Sequence, residues 1–418
     1  MVANSDNSDN RFAPIVKKWA EGLEKGCSLI KTAFATEYLK QVNVFAATCS
    51  ECGSRNFSET YQSIFLKDKE NQREPIFDLV IVDEASKATP PELILPLTLG
   101  KRVVVIGDHK QLPPMIDENE FTEALDAVGA KKLVEDWTKI DYKTSQFEKL
   151  FVNAPRPVVA SLDTQFRMHE QIMKCISQFY QDQEELENGL ICGIKNEMNI
   201  RDFTNKASRW HGMNLAPFIS HEDHAIWVNV DTPEEDPHKN KSYQNKGEVD
   251  AIKIVLHALK QSEGFKEYFD SCKKEEDKEI GIITYYMSQM IAIRNSIYPN
   301  FSKNEWRNFE LHKYNNEFQI PFRINTVDRF QGMERNIIII STVRSNCQKL
   351  ADGKIIKNEK YPYALGFARE CPRVNVGFSR AKRLLIVIGN EKHFSNKPEY
   401  AEAIQKMHRV DIAQLKNL

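Results

Sequence analysis

The chain has 418 residues, of which 41% are apolar and 28% are charged, and its formal net charge is −2 at pH 7. This length predicts two or three domains, each large enough for a core of its own. No apolar run reaches the length of a membrane span and no signal-peptide pattern opens the sequence, so we expect no membrane partner. The eight cysteines are scattered rather than spaced as a disulfide framework, which indicates a reducing, intracellular compartment, cytoplasmic or nuclear.

The first 75 residues predict a helix and a strand before a polar segment. Apolar positions at helical spacing predict a helix over 13–40, and VNVFAATC predicts a strand over 42–49. Cys49 and Cys52 form a C-x-x-C pair, but no second pair lies at zinc-finger spacing. We therefore favour a strand end followed by a turn at Gly53 over a metal or redox site.

Two apolar runs at the centre of this half, LVIV at 79–82 and RVVVIG at 102–107, end abruptly in acids. Runs that are apolar at every position predict parallel strands covered on both faces. Asp83 and Glu84 follow the first run, and Asp108 follows the second. Chemistry in open α/β sheets sits beyond the carboxyl ends of such strands. Asp83 is thus placed to hold Mg²⁺ on a nucleotide phosphate, and Glu84 to orient the attacking water.

The remainder of the chain alternates strands with helices up to about residue 390. A helical stretch at 118–152 and a connector at 153–159 predict a domain boundary, which gives domains at 1–155 and 156–418. The segment 161–181 predicts one amphipathic helix with its polar end at 165–167, and the mixed charges of 266–279 favour a solvated face. Apolar runs predict the strands at 225–230, 279–284, 323–327, 336–342 and 384–389. The alternation predicts an α/β fold with parallel sheets.

An ordered set of short motifs runs through these elements. The chain resembles the superfamily 1B helicases of the nonsense-mediated-decay and senataxin type, and the resemblance extends over about 350 residues. The segments that are similar to the family's motifs are VDEAS (82–86), GDHKQLPP (107–114), QFRMH (165–169), SYQNKGE (242–248), GIITYYMSQ (281–289), TVDRFQGMERNIIIISTVRSN (326–346) and RVNVGFSRAK (373–382). The resemblance implies tandem RecA-like P-loop NTPase domains, with ATP between them and single-stranded DNA or RNA across both.

The resemblance also implies roles for individual residues. Asp83 would hold Mg²⁺, Glu84 would polarise the attacking water, and Gln111 would sense the γ-phosphate. Arg167 and Arg380 would neutralise charge on the transferred phosphoryl group, as arginine fingers do. The family implies movement in the 5′-to-3′ direction on the strand.

Further residues would contact the nucleotide or the nucleic-acid strand. Phe166 stands where the family usually has a tyrosine that stacks on adenine, and Gly332 and Glu334 would lie near the ribose. Residues in motifs that touch the nucleic-acid backbone are Thr48, Thr284, Tyr285, Thr326 and Asp328. Tyr285 could instead cap its strand. Arg373 and Arg383 are expected to be structural ion-pair partners rather than catalytic groups.

The family's first motif, G-x-x-x-x-G-K-[ST], which cradles phosphates, does not occur in the 418 residues. We therefore expect an N-terminally incomplete first domain, completed by a missing P-loop segment or by a partner chain, and little activity of this chain alone. The main hypothesis is an ATP-dependent helicase or translocase. The alternative is a nucleic-acid-binding or scaffold protein with an inactive ATPase site.

Overall fold

The computed structural model divides the chain into two compact units. One lies within residues 1–107 and 114–147, and the other within 108–113 and 148–418. The structure describes residues 14–26, 42–57, 77–114, 123, 127, 144–181, 189–238, 242–299, 314–345, 347–350, 353–357, 365–416 and 418. The predicted helix at 118–152 falls mostly outside these residues, as does the polar segment at 57–75.

The first unit is built around a two-stranded parallel pair. Strands β1 (Val80–Val82) and β2 (Val103–Val105) pair in parallel, with helix α2 (Pro90–Leu97) between them in the chain. Residues 14–26 form helix α1. The parallel pairing agrees with the apolar runs, but the predicted cover on both faces is wrong for the described residues, since Ile81 is 60% exposed and Val104 is 45% exposed.

The predicted strand at 42–49 is wrong. Residues 42–48 have no regular structure, and a 3₁₀ turn follows at Glu51–Gly53. Val44 is 82% exposed, so its apolar side chain meets no core. No described strand pairs with this stretch, and a β-branched run becomes a strand only where a neighbour supplies hydrogen bonds.

The second unit contains, within the described residues, a six-stranded sheet in which every pairing is parallel. Its order is β13-β5-β12-β9-β7-β8. The strands of the unit are β3 (Thr164–Gln165), β4 (Ile191–Cys192), β5 (Ala225–Asn229), β6 (Glu234–Glu235), β7 (Ile280–Thr284), β8 (Phe322–Thr326), β9 (Arg335–Ser341), β10 (Cys347–Lys349), β11 (Ile355–Lys357), β12 (Ala381–Gly389) and β13 (His408–Asp411). Strands β3 and β4 form a separate parallel pair, and β6, β10 and β11 form a small mixed sheet.

Helices lie between these strands in the chain, as the predicted alternation requires. They are α3 (Gln146–Asn153), α4 (Glu170–Lys174), α5 (Lys246–Gln261), α6 (Phe265–Ser271), α7 (Glu275–Lys278), α8 (Met287–Ile297), α9 (Val327–Phe330), α10 (Cys371–Phe378), α11 (Glu391–Phe394), α12 (Pro398–Gln405) and α13 (Ile412–Leu415). Short 3₁₀ helices occur at Ala85–Lys87, Arg156–Val158, Ser177–Tyr180 and Gly366–Arg369. No helix among the described residues is long and apolar enough to cross a membrane.

The sheet of the second unit separates two apolar clusters. Along β9, Ile338 and Ile340 belong to one cluster while Ile337 and Ile339 belong to the other, because successive side chains point to opposite faces. All four are at most 1% exposed. Burial on both faces is why β9 is apolar at each of these positions, and it confirms the predicted parallel α/β fold in this unit.

Two predictions about helices need correction. The segment 161–181 is not one helix, because Thr164–Gln165 is extended and pairs with β4 before α4 begins at Glu170. The stretch 266–279 is not simply a solvated face. Tyr268 packs in the core at 3% exposure, and the buried Glu279 accepts hydrogen bonds from Arg335 at 2.6 Å.

Candidate functional site

The acidic end of β1 projects into solvent in the first unit. Asp83 and Glu84 follow Val82 directly, and both are exposed. Glu84 has a φ of 54°, a left-handed conformation that is uncommon for a residue with a Cβ and turns the chain sharply after the strand. Its N–H donates to Asp83 Oδ1 at 2.9 Å.

The Asp83 carboxylate has the chemistry that Mg²⁺ on a nucleotide requires. Such an ion usually takes one or two protein carboxylates and completes its shell with phosphate oxygens and water. Among the described residues no group of three or more His, Cys, Asp or Glu could hold a metal by itself. An exposed carboxylate at a strand end therefore fits a nucleotide-borne ion better than a resident metal.

Gln111 and Arg380 lie together in the second unit. Arg380 Nη2 donates to Gln111 Oε1 at 3.3 Å, and Arg380 is only 2% exposed. Its Nε donates to the Val376 carbonyl at 3.0 Å, and its Nη2 also donates to the Ser379 hydroxyl at 2.9 Å. The guanidinium is thus fixed beside the amide of Gln111.

A partly buried hydrogen-bond chain holds Gln111 in place. Gln111 Nε2 donates to Asp108 Oδ2 at 2.9 Å, and the same oxygen accepts from the Tyr180 hydroxyl at 2.7 Å. Asn375 Nδ2 in turn donates to Tyr180 Oη at 2.7 Å and to the Lys110 carbonyl at 3.0 Å. Burial and the Asp108 carboxylate raise the pKa of Tyr180 well above its ordinary value. Sequence reasoning missed Tyr180 and Asn375, because no local pattern marks a contact between residues so far apart in the chain.

Arg167 forms an ion pair with Glu334. Its Nε lies 2.8 Å from Glu334 Oε2, and Lys382 Nζ lies 3.3 Å from Glu334 Oε1. Burial alone would raise the pKa of Glu334, but Lys382 and Arg167 outweigh it and hold the pKa below the ordinary value. The structure therefore joins a candidate arginine finger to a candidate ribose contact.

The backbone that carries Phe166 and Arg167 is fixed by Arg209. Its guanidinium donates to the carbonyls of Arg167 at 2.6 Å and Phe166 at 2.7 Å. Further bonds go to the carbonyls of Lys206 at 2.8 Å and Ser208 at 2.9 Å. Arg209 is 8% exposed, and sequence reasoning did not find it because it lies outside the motifs. These bonds hold Arg167 ahead of α4 rather than within it.

Phe166 presents a free ring face. It is 62% exposed, although it is a large apolar side chain. Its ring lies so close to Gly193 that a Cβ there would stand 2.4 Å from Cε1, so any side chain at that position would displace the ring. Gly332 is also exposed, with a φ of 82°. An exposed aromatic ring backed by the chain is suited to stacking on a base.

The candidate nucleic-acid residues divide into exposed and buried ones. Thr48 is exposed, and its Oγ1 accepts from the N–H of Glu51 at 3.2 Å. Asp328 accepts from Arg373 Nη2 at 3.1 Å, which agrees with the expected structural ion pair. Thr326 is 8% exposed, whereas Thr284 and Tyr285 are interior, at 0% and 3%.

The side chains of Thr284 and Tyr285 therefore cannot contact a nucleic-acid strand in this structure. Burial raises the pKa of Tyr285 to about 12, and its hydroxyl lies 3.4 Å from that of Tyr400. At the end of strand β7, only the protein backbone remains as a candidate for a contact with a nucleic-acid phosphate. Arg383 also departs from expectation, since no described carboxylate pairs with it and its Nη1 donates to the Trp210 carbonyl.

A buried carboxylate holds a strained residue at the end of β9. Val343 has a φ of 72°, which a β-branched residue adopts only under constraint. Glu248 Oε2 accepts from the N–H of Val343 at 2.8 Å and from the Ser341 hydroxyl at 2.6 Å. Burial raises the pKa of Glu248 to about 8, with the nearby Glu234 adding to the rise. A pKa raised in this way means that Glu248 loses its proton at a higher pH in the folded protein than in the unfolded chain.

We expect the unfolding free energy to fall as pH rises from about 4.5 to about 8, because the unfolded state then loses its Glu248 proton first. The maximal slope from one group is about 1.4 kcal/mol per pH unit. Glu248→Gln should remove that part of the slope, which urea unfolding at a series of pH values measures. Glu235→Gln, on strand β6, serves as the control. An unchanged slope of unfolding free energy against pH in Glu248→Gln would contradict the assignment of the raised pKa to Glu248.

Comparison with known proteins gives two matches to family models. Both models are described as AAA domain, and they cover residues 142–392 and 5–119. The first alone spans more than half of the chain, and an ATP-dependent helicase of Methanocaldococcus jannaschii is 27% identical over 390 residues. The chain belongs to the AAA-domain helicases of superfamily 1. It is of the nonsense-mediated-decay and senataxin-like type within them.

Other superfamily 1 helicases match over similar lengths. The ATP-dependent helicase NAM7 of Saccharomyces cerevisiae is 26% identical and covers 85% of this chain, and the Helicase SEN1 of the same organism is 28% identical and covers 79%. The chain spans 44% of the M. jannaschii protein, 28% of NAM7 and 12% of SEN1. It therefore corresponds to less than half the length of these relatives.

Proposed function

We propose that this chain carries the catalytic groups of an ATP-dependent helicase or translocase that moves along single-stranded DNA or RNA, in the 5′-to-3′ direction that the family implies. The observation that supports this best is the contact between the buried Arg380 and the half-buried Gln111, held by Asp108 and Tyr180. A buried guanidinium beside an amide suits recognition of a γ-phosphate, whose oxygens accept from both groups.

Each residue has a distinct part in hydrolysis. Asp83 would hold Mg²⁺, which neutralises charge on the β- and γ-phosphates when it is bound. The Glu84 carboxylate would accept a hydrogen bond from the attacking water and orient it. Gln111 would detect the γ-phosphate, and Arg167 and Arg380 would stabilise the negative charge on its oxygens as the bond to the leaving group breaks.

Nucleotide binding would use the groups beside Arg167. Phe166 would stack on adenine through its exposed face, with no hydroxyl to add a hydrogen bond. Glu334 and Gly332 would lie near the ribose, whose hydroxyls can donate to the carboxylate. Because Glu334 pairs with Arg167 in this structure, nucleotide binding would exchange that ion pair for contacts to the ligand.

The protein would contact the phosphates and sugars of the single-stranded nucleic acid, rather than its base edges. It would do so through its own hydroxyls and backbone groups. Thr48, Thr326 and the backbone at Thr284–Tyr285 suit phosphates and sugars, which carry no sequence information. Asp328 would act through Arg373, with which it pairs.

We expect weak, sequence-tolerant binding of single strands that declines steeply with salt, because phosphate contacts release counterions. The slope of log K against log salt should be about −0.7 per phosphate contact. Fluorescence anisotropy with oligothymidylate and a mixed-sequence strand over a salt series measures it. A strong preference for one sequence, with a shallow slope, would contradict a backbone-binding function.

A further inference from the structure

Phe367 is a large aromatic residue that the fold leaves exposed. It lies in the 3₁₀ helix Gly366–Arg369, and it is 47% exposed although Leu365 and Ala368 beside it are buried, at 3% and 0%. Single exposed apolar side chains are common on protein surfaces, so this exposure alone assigns no function. A function follows only from the position of Phe367 and from the residues that hold its ring.

Phe367 lies beyond the carboxyl ends of two neighbouring strands of the six-stranded sheet. Its N–H donates at 3.2 Å to the hydroxyl of Tyr286, which lies two residues after the end of β7. The guanidinium of Arg373 lies 4.9 Å from the centre of the Phe367 ring and pairs with Asp328, two residues after the end of β8. Because β7 and β8 pair in parallel, these ends meet at one edge, where ligands of open α/β sheets bind.

The protein holds the Phe367 ring in a defined orientation. The centre of the ring lies 5.4 Å from that of the Tyr286 ring, and the Arg373 guanidinium lies over it as well. Gly366 allows this approach, because its φ is 54° and a Cβ there would overlap the Tyr286 hydroxyl. A ring that is already oriented loses little conformational freedom when a ligand covers it.

The surface around the ring is polar. Arg369 and Glu370 are exposed, and Arg373 pairs with Glu370 as well as with Asp328. Within residues 365–373, Phe367 is the one large apolar residue that is exposed. The core of an interface with another folded protein is an apolar patch of several residues, whereas a nucleic-acid base needs one flat ring to stack on. The surroundings of Phe367 therefore favour a base over a protein partner.

We propose that Phe367 stacks on a base of the single-stranded nucleic acid. The inference rests on the proposed function, because it requires a single-stranded ligand, but it requires no ATP hydrolysis. Stacking uses the face of a base, which every base has, so it adds affinity without sequence preference. Phe367 would hold a base at the same edge at which the backbone of Thr284–Tyr285 suits a phosphate contact.

The experiment measures binding of two probes by the full-length gene product: oligothymidylate of about ten nucleotides, and a strand of the same length with the same backbone but without bases. The test variant is Phe367→Leu, which keeps an apolar side chain and removes the ring. Phe367→Trp keeps an aromatic face. The control is Tyr314→Leu, an exposed aromatic residue that pairs with Pro321 just before β8 begins, at the opposite edge of the sheet. The melting temperature of each variant verifies that it is folded.

We expect Phe367→Leu to bind oligothymidylate about tenfold more weakly than the unaltered protein, while Phe367→Trp and Tyr314→Leu change less than about threefold. Binding of the strand without bases should be unchanged in Phe367→Leu, because no charge is altered. The dependence of oligothymidylate binding on salt should stay the same for that reason.

Unchanged oligothymidylate binding in Phe367→Leu would overturn the base contact, leave the proposed function standing and assign the exposed ring to a protein partner. An equal loss on the strand without bases would also overturn the base contact, because the ring would then act on the backbone. If the unaltered protein bound neither probe, the proposed function itself would fail together with this inference.

Discussion

Replacing Arg380 by lysine in the full-length gene product should lower the kcat for ATP hydrolysis by about 10³–10⁵ and leave single-strand affinity within about twofold. Lysine keeps the positive charge, but it loses the planar fork that can contact Gln111 and a γ-phosphate oxygen together. The loss should fall on kcat rather than on KM, because the contact strengthens as charge develops on the phosphoryl group.

A structural role for Arg380 must be separated from a catalytic one. Arg380 also donates to the Val376 and Met333 carbonyls, so its removal could weaken the fold. The melting temperature of Arg380→Lys is therefore measured beside its kcat, with the exposed Arg409→Lys as the control. A variant that folds normally and hydrolyses ATP at the parent rate would remove Arg380 from the site.

Glu84→Gln should lower kcat by about 10²–10⁴ while nucleotide affinity is retained. The amide is nearly the same size as the carboxylate, but it is a much weaker acceptor for a water proton. Asp83, the proposed Mg²⁺ ligand, is unchanged in this variant, and the Glu84 N–H still reaches its Oδ1. Binding of a non-hydrolysable ATP analogue gives the nucleotide affinity, and steady-state ATP hydrolysis gives kcat.

The control for Glu84 is Asp78→Asn, another exposed carboxylate of the first unit, which pairs with Lys101 before β1 begins. Its hydrolysis rate should match that of the parent. If Glu84→Gln turned over ATP within a fewfold of the parent, another group would have to orient the water.

Much of the second unit could be predicted because its signal is local. Strands such as β7 and β9 are apolar at consecutive positions, and helix α5 buries Val249, Ile252 and Leu256 at helical spacing, as expected. The prediction of a strand at 42–49 was wrong because β-branched residues such as Val44 form a strand only beside a hydrogen-bonding partner. The composition of one segment does not show whether such a partner is present.

The candidate site residues were predicted from motif positions, but the residues that support them were not. Gln111 and Arg380 were named from motifs, and the structure brings them within 3.3 Å. Tyr180 supports Gln111 through Asp108, and Arg209 holds the backbone of Arg167. These hydrogen bonds join residues 72 and 42 positions apart in the sequence, which periodicity does not reveal. For Tyr285 the sequence left open a nucleic-acid contact or a cap on its β-strand, and the side chain is 3% exposed, which spacing alone does not reveal.

The most direct test of the proposed function is ATP hydrolysis by the full-length gene product, measured with and without single-stranded nucleic acid. We predict that single-stranded nucleic acid stimulates ATP hydrolysis by the unaltered protein. Both Glu84→Gln and Arg380→Lys should lose this hydrolysis while still binding the nucleic acid. Absence of strand-stimulated hydrolysis in the unaltered protein, or equal rates in the unaltered protein and both variants, would contradict the assignment of these residues to an ATP-driven motor.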